Sequence, residues 1–570
     1  MIRKQDRYAW ILAALCIVSL FLFIGEALFN TRGEPREAVV ALSMLQEGNW
    51  VLPVNNGVEL AFKPPLFHWM IAAISSVTGA VSEYTSRMPS ALALAVMVLA
   101  GYGFYAKRRG AEVAFLMGLI TLTNFEVHRA GTNCRVDMLL SALMVLALYQ
   151  LYKWGEKRLR GIPWVGVLCL SGAFLTKGPV GVLLPCLVVA VFVWIRGLNF
   201  WRIFFSFFGI VLLSCVLPMC WYWAAYQQGG DRFLQLVLEE NVLRLLGKMS
   251  YDSHVNPLHY NFITVFAGYV PYTLLVLISV FFLKYKRIEG KPMAWWNRFK
   301  AYIRNMDDAR LFSLLSIVII FVFYCIPKSK RSVYLLPIYP FIAYFLAEYL
   351  IYLIRRHRKA VTLFGTVMAS LSVLLFLVFV AVRCGIVPDS IFSGKHAAEN
   401  IAFMRALEQT ALGWKWIVVL LPLVAVYAFF KIKPVQRENP LAYSVIGIIF
   451  TIFFALDGFY QPTVLNVKSD KPVADRIAEI VPEGRLYSYR TDVYVANRTH
   501  PFTINFYLGD RVVPFDVFLP DAGYLVVGES DVEAFGKAYP AYEIKQVYDS
   551  RHRSCDDHKV VQLYQFRKMK

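Results

Sequence analysis

Arg32, Arg36, Lys63, Arg129, Arg135, Lys177, Arg244, Lys248, Lys328, Lys330 and Arg331 are cations of this chain that could grip an anion. Arginine offers a planar fork of donors and lysine a compact point charge, and both suit phosphate. Each lies close to a long apolar run, which places its charge near the depth of a lipid headgroup. Lys328-Ser329-Lys330-Arg331 fills a very short polar stretch between two such runs, and ionisable groups at membrane depth pair with one another or serve a function. A lipid-linked phosphate fits that position, with headgroup binding and snorkelling as the bland alternatives. Glu34 stands two residues before Arg36, and Asp137 two after Arg135. A carboxylate beside such a cation can take a proton or orient a hydroxyl; a structural ion pair is the competing reading at each. His68, His254 and His259 could together ligate a metal, but their spacing matches no zinc signature, so no metal is expected.

The elements that must position these groups are membrane helices. Of the 570 residues, 58% are hydrophobic, and they come in runs such as Ala9–Phe29 and Val361–Val382 that are long enough to cross a hydrocarbon core of about 30 Å. The net charge of +20 would suggest nucleic acid in a soluble protein. Here it reflects the basic short loops of a membrane protein, and no nucleic-acid partner is expected. The nine cysteines are scattered and mostly apolar in context, so no disulfide framework is expected. Basic clusters at 107–109, 153–160, 196–202, 284–310, 355–359 and 431–437, assigned to the cytoplasm with the N-terminus, give about thirteen crossings. Pro65–Val81 then lies along the outer surface. The expected fold is mainly α: a polytopic transmembrane bundle over residues 1–460, with outer-face juxtamembrane helices, a first outer loop at 30–87 and a later one at 227–257. Residues 461–570 read as a small soluble α/β domain on the non-cytoplasmic side. Its strand-like runs are Tyr524–Val527, Tyr542–Tyr548 and Val560–Phe566, and Ser530-x-x-Glu533 reads as a capping box.

The polar residues also occur in a telling order. Gly33-Glu34-Pro35-Arg36-Glu37-Ala38, Gly48-Asn49-Trp50-Val51 with Pro53, and Phe62-Lys63-Pro64-Pro65-Leu66 come first. Ser86-Arg87-Met88-Pro89-Ser90, Arg135-Val136-Asp137-Met138, Leu175-Thr176-Lys177-Gly178-Pro179, Glu239-x-Asn241-x-x-Arg244, His254-x-x-Pro257 and Ser329-Lys330-Arg331-x-x-Tyr334 follow. This ordered set resembles the family of the protein O-mannosyltransferases and the aminoarabinose transferase of lipid A, integral membrane glycosyltransferases of the C-type fold. The resemblance covers residues 8–350. It implies a polyprenyl-phosphate sugar donor, membrane lipids as surroundings, and a lipid, protein or glycan acceptor at the periplasmic face of a bacterial inner membrane.

On that basis Arg36 and Lys63 hold the carrier phosphate, with Arg87, Lys330 and Arg331 in support. Glu34 or Asp137 serves as the acid–base group, and Arg135, Lys177, Glu239, Asn241, Arg244, His254 and Tyr334 line the substrate. The chain departs from the family's pattern at two positions. Gly33 replaces a leading Asp, which leaves the acid role to Glu34 or Asp137. Phe62 replaces a Glu that helps bind a metal in some relatives, so no cofactor is expected. The competing reading is a multi-span transporter or flippase of a lipid-linked or anionic solute, which should show paired halves or broken helices.

Overall fold

The computed structural model describes residues 4–243, 248, 255–284, 292–435, 438–491 and 501–569. The chain is a multi-pass membrane protein with a small sheet domain at its C-terminal end. Each of the expected crossings has a helical counterpart. Among the described residues, eight helices are long and apolar enough to span a membrane, and nine if the bent pair Tyr260–Gly268 and Tyr272–Val280 forms one span. α1 (Lys4–Phe21) has 18 residues but is not among those spans, and α5 (Ala111–Leu122), α8 (Trp164–Lys177) and α9 (Val180–Ile195) are shorter apolar helices. The segment expected to lie along the surface is α3 (Leu66–Thr78).

Local sequence explains several helix ends. α4 (Glu83–Arg109) opens on a reciprocal cap: the Ser82 hydroxyl accepts from the Thr85 N–H while the Ser82 N–H donates to the Thr85 hydroxyl. It closes on Lys107, Arg108 and Arg109, cations that complement the negative end of the helix dipole. The helix Asp308–Cys325 is capped by Asp307, whose carboxylate accepts from the N–H groups of Ala309 and Arg310. Burial sorts the bundle. Within the apolar window of α7 (Val136–Glu156) 72% of residues are buried, against 28% in the run beginning with α10 (Phe200–Leu238). α7 is therefore central, and α10 turns Phe204, Phe205 and Phe208 outward as lipid-facing residues.

The loops segregate into two ends. At one end the Arg108 guanidinium pairs with Glu156, Arg109 with Glu348, and Arg196 with Asp308, while Gln5 and Tyr102 tie the N-terminus to the same end. At the other end lie α2 (Pro35–Glu47), α3, the first turns of α4 and α7, and the sheet domain. The helical run expected to stop at residue 460 continues as far as Lys468.

In the first outer loop β1 (Val54–Asn55) pairs antiparallel with β2 (Glu59–Leu60), and the domain is a five-stranded sheet of β3 (Leu486–Tyr489), β4 (Val512–Pro514), β5 (Ala522–Gly528), β6 (Tyr542–Arg553) and β7 (Val560–Lys568) in the order β4-β3-β5-β7-β6, with β3 parallel to β4 and β5, and β7 antiparallel to β5 and β6. The two-residue side-chain period of β5 puts Val526 into one apolar cluster with Ile477, Leu486 and Leu563. Leu525 and Val527 enter another with Phe515, Phe535 and Phe566. Both faces of the sheet are thus covered. The expected capping box does not form: Asp531, not Ser530, is the cap residue of helix Val532–Ala538, and it makes no side-chain cap bond.

Candidate active site

α2 begins with Pro35, whose fixed φ suits the first helical position, and its first turn carries Arg36 and Glu37. Glu37 is the hub of the site. Its Oε1 accepts from Arg36 Nε at 3.2 Å and Nη2 at 2.8 Å, and lies 3.8 Å from Lys63 Nζ. Its Oε2 lies 2.9 Å from His68 Nε2 on α3. A carboxylate only accepts, so His68 donates through that nitrogen. The Glu37 side chain is 6% exposed, whereas Arg36 and Lys63 are 42% and 38% exposed. A buried anion therefore anchors two cations from behind and leaves them facing outward. Neither Arg36 Nη1 nor Lys63 Nζ donates a hydrogen bond among the described residues.

The electrostatics follow from this arrangement. Burial works to raise the Glu37 carboxyl, but Lys63, Arg36 and His68 outweigh it and hold it well below the usual carboxylate range. Burial, and then the like charge of Arg36, push the Lys63 ammonium down, against the opposing pull of Glu37 and Glu240. Glu240 and Asp137 also act on Arg36. The carboxylate of Glu240, in a wide π-type turn at Glu239–Leu243, thus joins the field around the two cations.

A second group borders the first. Asp137, in the first turn of α7, pairs with Lys177 in the last turn of α8. The Lys177 ammonium also sits 4.3 Å from the centre of the Tyr334 ring. Gly178, with φ of +90°, lets the chain turn directly after Lys177, and a Cβ there would meet Asn241 Oδ1 at 2.8 Å. Arg135 precedes α7. Among the described residues its buried Nε has no hydrogen-bond partner, and its Nη2 lies 3.0 Å from where a Cβ on Gly33 would stand. Burial lowers the Arg135 pKa, and Asp137 opposes the shift while Arg331 reinforces it. The charge of Arg331 thus acts on both Arg135 and Asp137.

Three of the expected roles are corrected by the geometry. Arg87 Nε and Nη2 clasp both oxygens of Glu34 at 2.8 and 2.9 Å, and Nη1 donates to the carbonyls of Ile24 and Ala27. With 2% exposure, Arg87 is committed to holding the chain together and does not face a carrier phosphate. Glu34, 4% exposed, also accepts from the Cys134 N–H at 2.8 Å. Burial works to raise its carboxyl, and Arg87 turns the shift downward. A carboxylate so occupied cannot reach an acceptor, so Glu34 is structural. Lys330 is 6% exposed and donates to the carbonyls of Asn256 and Pro327 at 3.2 and 2.6 Å, which removes it from the phosphate-binding set. Arg244 and His254 lie outside the described residues. Glu37 is the site residue that the sequence does not single out, and His68, a candidate metal ligand by type, is instead its hydrogen-bond partner. The cue was Glu37 directly after Arg36, but neighbouring residues on a helix point in different directions, so adjacency alone predicts no contact.

The donor set suits an organic anion better than a divalent metal. Glu34, Glu37 and Asp137 each already face a cation, leaving none of them as an open ligand. Two half-exposed cations backed by a buried carboxylate can neutralise an anion, and a paired carboxylate such as Asp137 can orient a neighbouring polar group.

Residues 62–223 match the family described as dolichyl-phosphate-mannose-protein mannosyltransferase. An uncharacterized protein of Aquifex aeolicus is 25% identical over 337 residues, 58% of this chain and 62%, less than two thirds, of that protein. The undecaprenyl phosphate-alpha-4-amino-4-deoxy-L-arabinose arabinosyl transferase of Shewanella sediminis is 24% identical over 489 residues, 83% of this chain and 79% of the relative. The structure of ArnT from Cupriavidus metallidurans bound to undecaprenyl phosphate superposes with a TM-score of 0.72 over 98% of both chains, at 19% identity. The likeness to ArnT over nearly the whole chain shows the fold, and residues 62–223 carry the sequence likeness to the mannosyltransferase family.

Proposed function

We propose that this chain moves a sugar from a polyprenyl-phosphate carrier to an acceptor at the membrane face that bears Arg36 and Lys63. The observation that carries the reading is the pair itself: two half-exposed cations from separate segments, held from behind by the buried Glu37 carboxylate. In the reaction the bond between the anomeric carbon and the carrier phosphate oxygen breaks. The acceptor atom bonds to that carbon, and the phosphate leaves with the electron pair and the developing negative charge. Preplaced cations stabilise that charge without reorganisation. An acceptor hydroxyl must lose its proton, and Asp137, held by Lys177, is the carboxylate placed to receive or orient it. An acceptor phosphate needs no base.

The finer assignments rest on the same reading. Relatives named for an undecaprenyl phosphate-linked aminoarabinose favour an undecaprenyl carrier and a pentosyl donor over a hexosyl one. The acceptor class comprises lipid A, protein or glycan. The basic loops and the N-terminus gather at the end opposite the site, and the excess of Lys and Arg in cytoplasmic loops favours a periplasmic site and C-terminal domain in a bacterial inner membrane. A transporter would share the cations but not the glycosyltransferase fold.

The test is turnover of a polyprenyl-phosphate sugar by purified protein in lipid. Wild type should release one free carrier phosphate per sugar transferred, and Arg36→Ala and Lys63→Ala should abolish release at unchanged expression. Wild-type turnover in both variants refutes the phosphate clamp. Movement of the solute without release of carrier phosphate supports a transporter instead.

A further inference from the structure

α2, which carries Arg36 and Glu37 in its first turn, is held at its other end by the C-terminal domain. The Ser43 hydroxyl, on α2 and 1% exposed, donates to Asp510 Oδ2 at 2.7 Å. The Asn56 N–H, in the loop between α2 and α3, donates to Asp510 Oδ1 at 2.9 Å. The buried Asn505 amide donates to the same oxygen at 2.6 Å and receives the Val512 N–H. Asp510 sits at φ of +58°, a conformation that Asp and Asn adopt more readily than other side chains. Gln46 Nε2, one turn further along α2, donates to the Gly509 carbonyl at 3.2 Å.

A second contact lies beside the start of α2. Phe29 and Ala38 bury themselves against Phe506, and the Tyr507 hydroxyl accepts from the Phe29 N–H while donating to Glu83. The domain thus reaches the first loop on both sides of the residues that hold Arg36 and Glu37.

We infer that the C-terminal domain is a working part of the transfer site, with Asp510 a positioning residue that fixes α2 and so sets where Arg36 presents its guanidinium. The inference rests on the proposed transfer reaction. A carboxylate accepting from the helix, the loop and its own domain at once pins three segments at a single point. α2 is only 13 residues long, too short to be stable in water without such tethers. Releasing Ser43 and Asn56 lets α2 tilt while the domain keeps its own sheet. A shift of about 1 Å at a charged clamp is enough to lower transfer by up to roughly a hundredfold.

The test compares Asp510→Ala, Asp510→Gly and Asp510→Asn in the full-length protein, with Lys537→Ala as an exposed control on the same domain. Gly relieves the left-handed backbone while deleting the carboxylate, and Asn keeps both the backbone preference and one acceptor oxygen. Ala and Gly should each raise the donor KM and lower kcat by roughly tenfold or more, and Asn should restore most of the loss. Hydrogen exchange across residues 35–47 should quicken in Ala and Gly and not in Asn or the control. A domain that merely stabilised the fold would lower the active fraction and leave KM unchanged, and that result, or unaltered exchange in Asp510→Gly, overturns the inference. Exchange is read without donor, so a wild type inert towards every carrier-linked sugar would sink the transfer reading while the tether was still tested.

Discussion

Replacing Glu34 by Gln separates a structural acid from a catalytic one. The carboxylate is 4% exposed, receives two hydrogen bonds from Arg87 and one from the Cys134 N–H, and has no open oxygen. Gln keeps the shape and one acceptor oxygen. Its NH2 group then points at Arg87 Nη2, donor against donor, and the guanidinium stays buried with only neutral acceptors, the Gln oxygen and two backbone carbonyls. Breaking a buried pair by removing one charge costs about 3–5 kcal/mol. Chemical denaturation in mild detergent, followed by helix circular dichroism, should show a loss of that size. Turnover per folded molecule should stay within about twofold of wild type, since the group acts on stability alone. The Glu34→Gln/Arg87→Ala cycle should show strong coupling. Unchanged stability with lost turnover would refute the assignment and return Glu34 to the role of base.

Other expectations follow from the same contacts. The contribution of Glu37 to stability is complete above the ordinary carboxyl value of 4.5 and is lost as pH falls through its depressed folded value. Donor affinity should therefore stay level across neutral pH and fall on the alkaline side, where Lys63, whose pKa lies below 10.5, gives up its proton. A pH profile of donor binding checks both arms, and Lys63→Arg should remove the alkaline one. Gly178→Ala should destabilise by about 1–2 kcal/mol, because its φ of +90° strains any side chain and the Cβ meets Asn241 at 2.8 Å; thermal unfolding measures it. Gly33→Ala should leave stability within about 0.5 kcal/mol, since the atom it meets is the mobile end of Arg135, and turnover will report whether moving that guanidinium matters.

The membrane architecture was legible because it follows from composition. A run of apolar residues long enough to span has few alternatives, and Pro65–Val81 was separated from the crossings by charge balance alone. The stretch after residue 227, which reads as loop, is still helical: α10 continues to Leu238 through a break at Gly230, where φ is +54°, and polar residues such as Gln227, Gln228 and Asp231 mask the continuing helix in the sequence. Strands β5, β6 and β7 showed their alternation, whereas β3 and β4 span only four and three residues, too few to establish a period.

At the site, residue types pointed to phosphate chemistry, but pairing decided which cations remain available. Glu34 and Arg87 are 53 positions apart, and Lys330 turns to carbonyls supplied by other segments; neither fact has a local signature. The tethering of α2 by Asp510 joins residues 467 positions apart and arises only once the domain has docked.

The central claim is that Arg36 and Lys63 hold a carrier phosphate while Arg87 and Lys330 do not. Its most direct measurement is the affinity of purified wild type and single-alanine variants for a fluorescent polyprenyl phosphate without sugar. Each charge-assisted hydrogen bond contributes about 1.5–3 kcal/mol, so Arg36→Ala and Lys63→Ala should each weaken binding by roughly ten- to a hundredfold. Lys330→Ala should bind as wild type. Equal affinity in all three variants, or a loss confined to Lys330→Ala, would contradict the account.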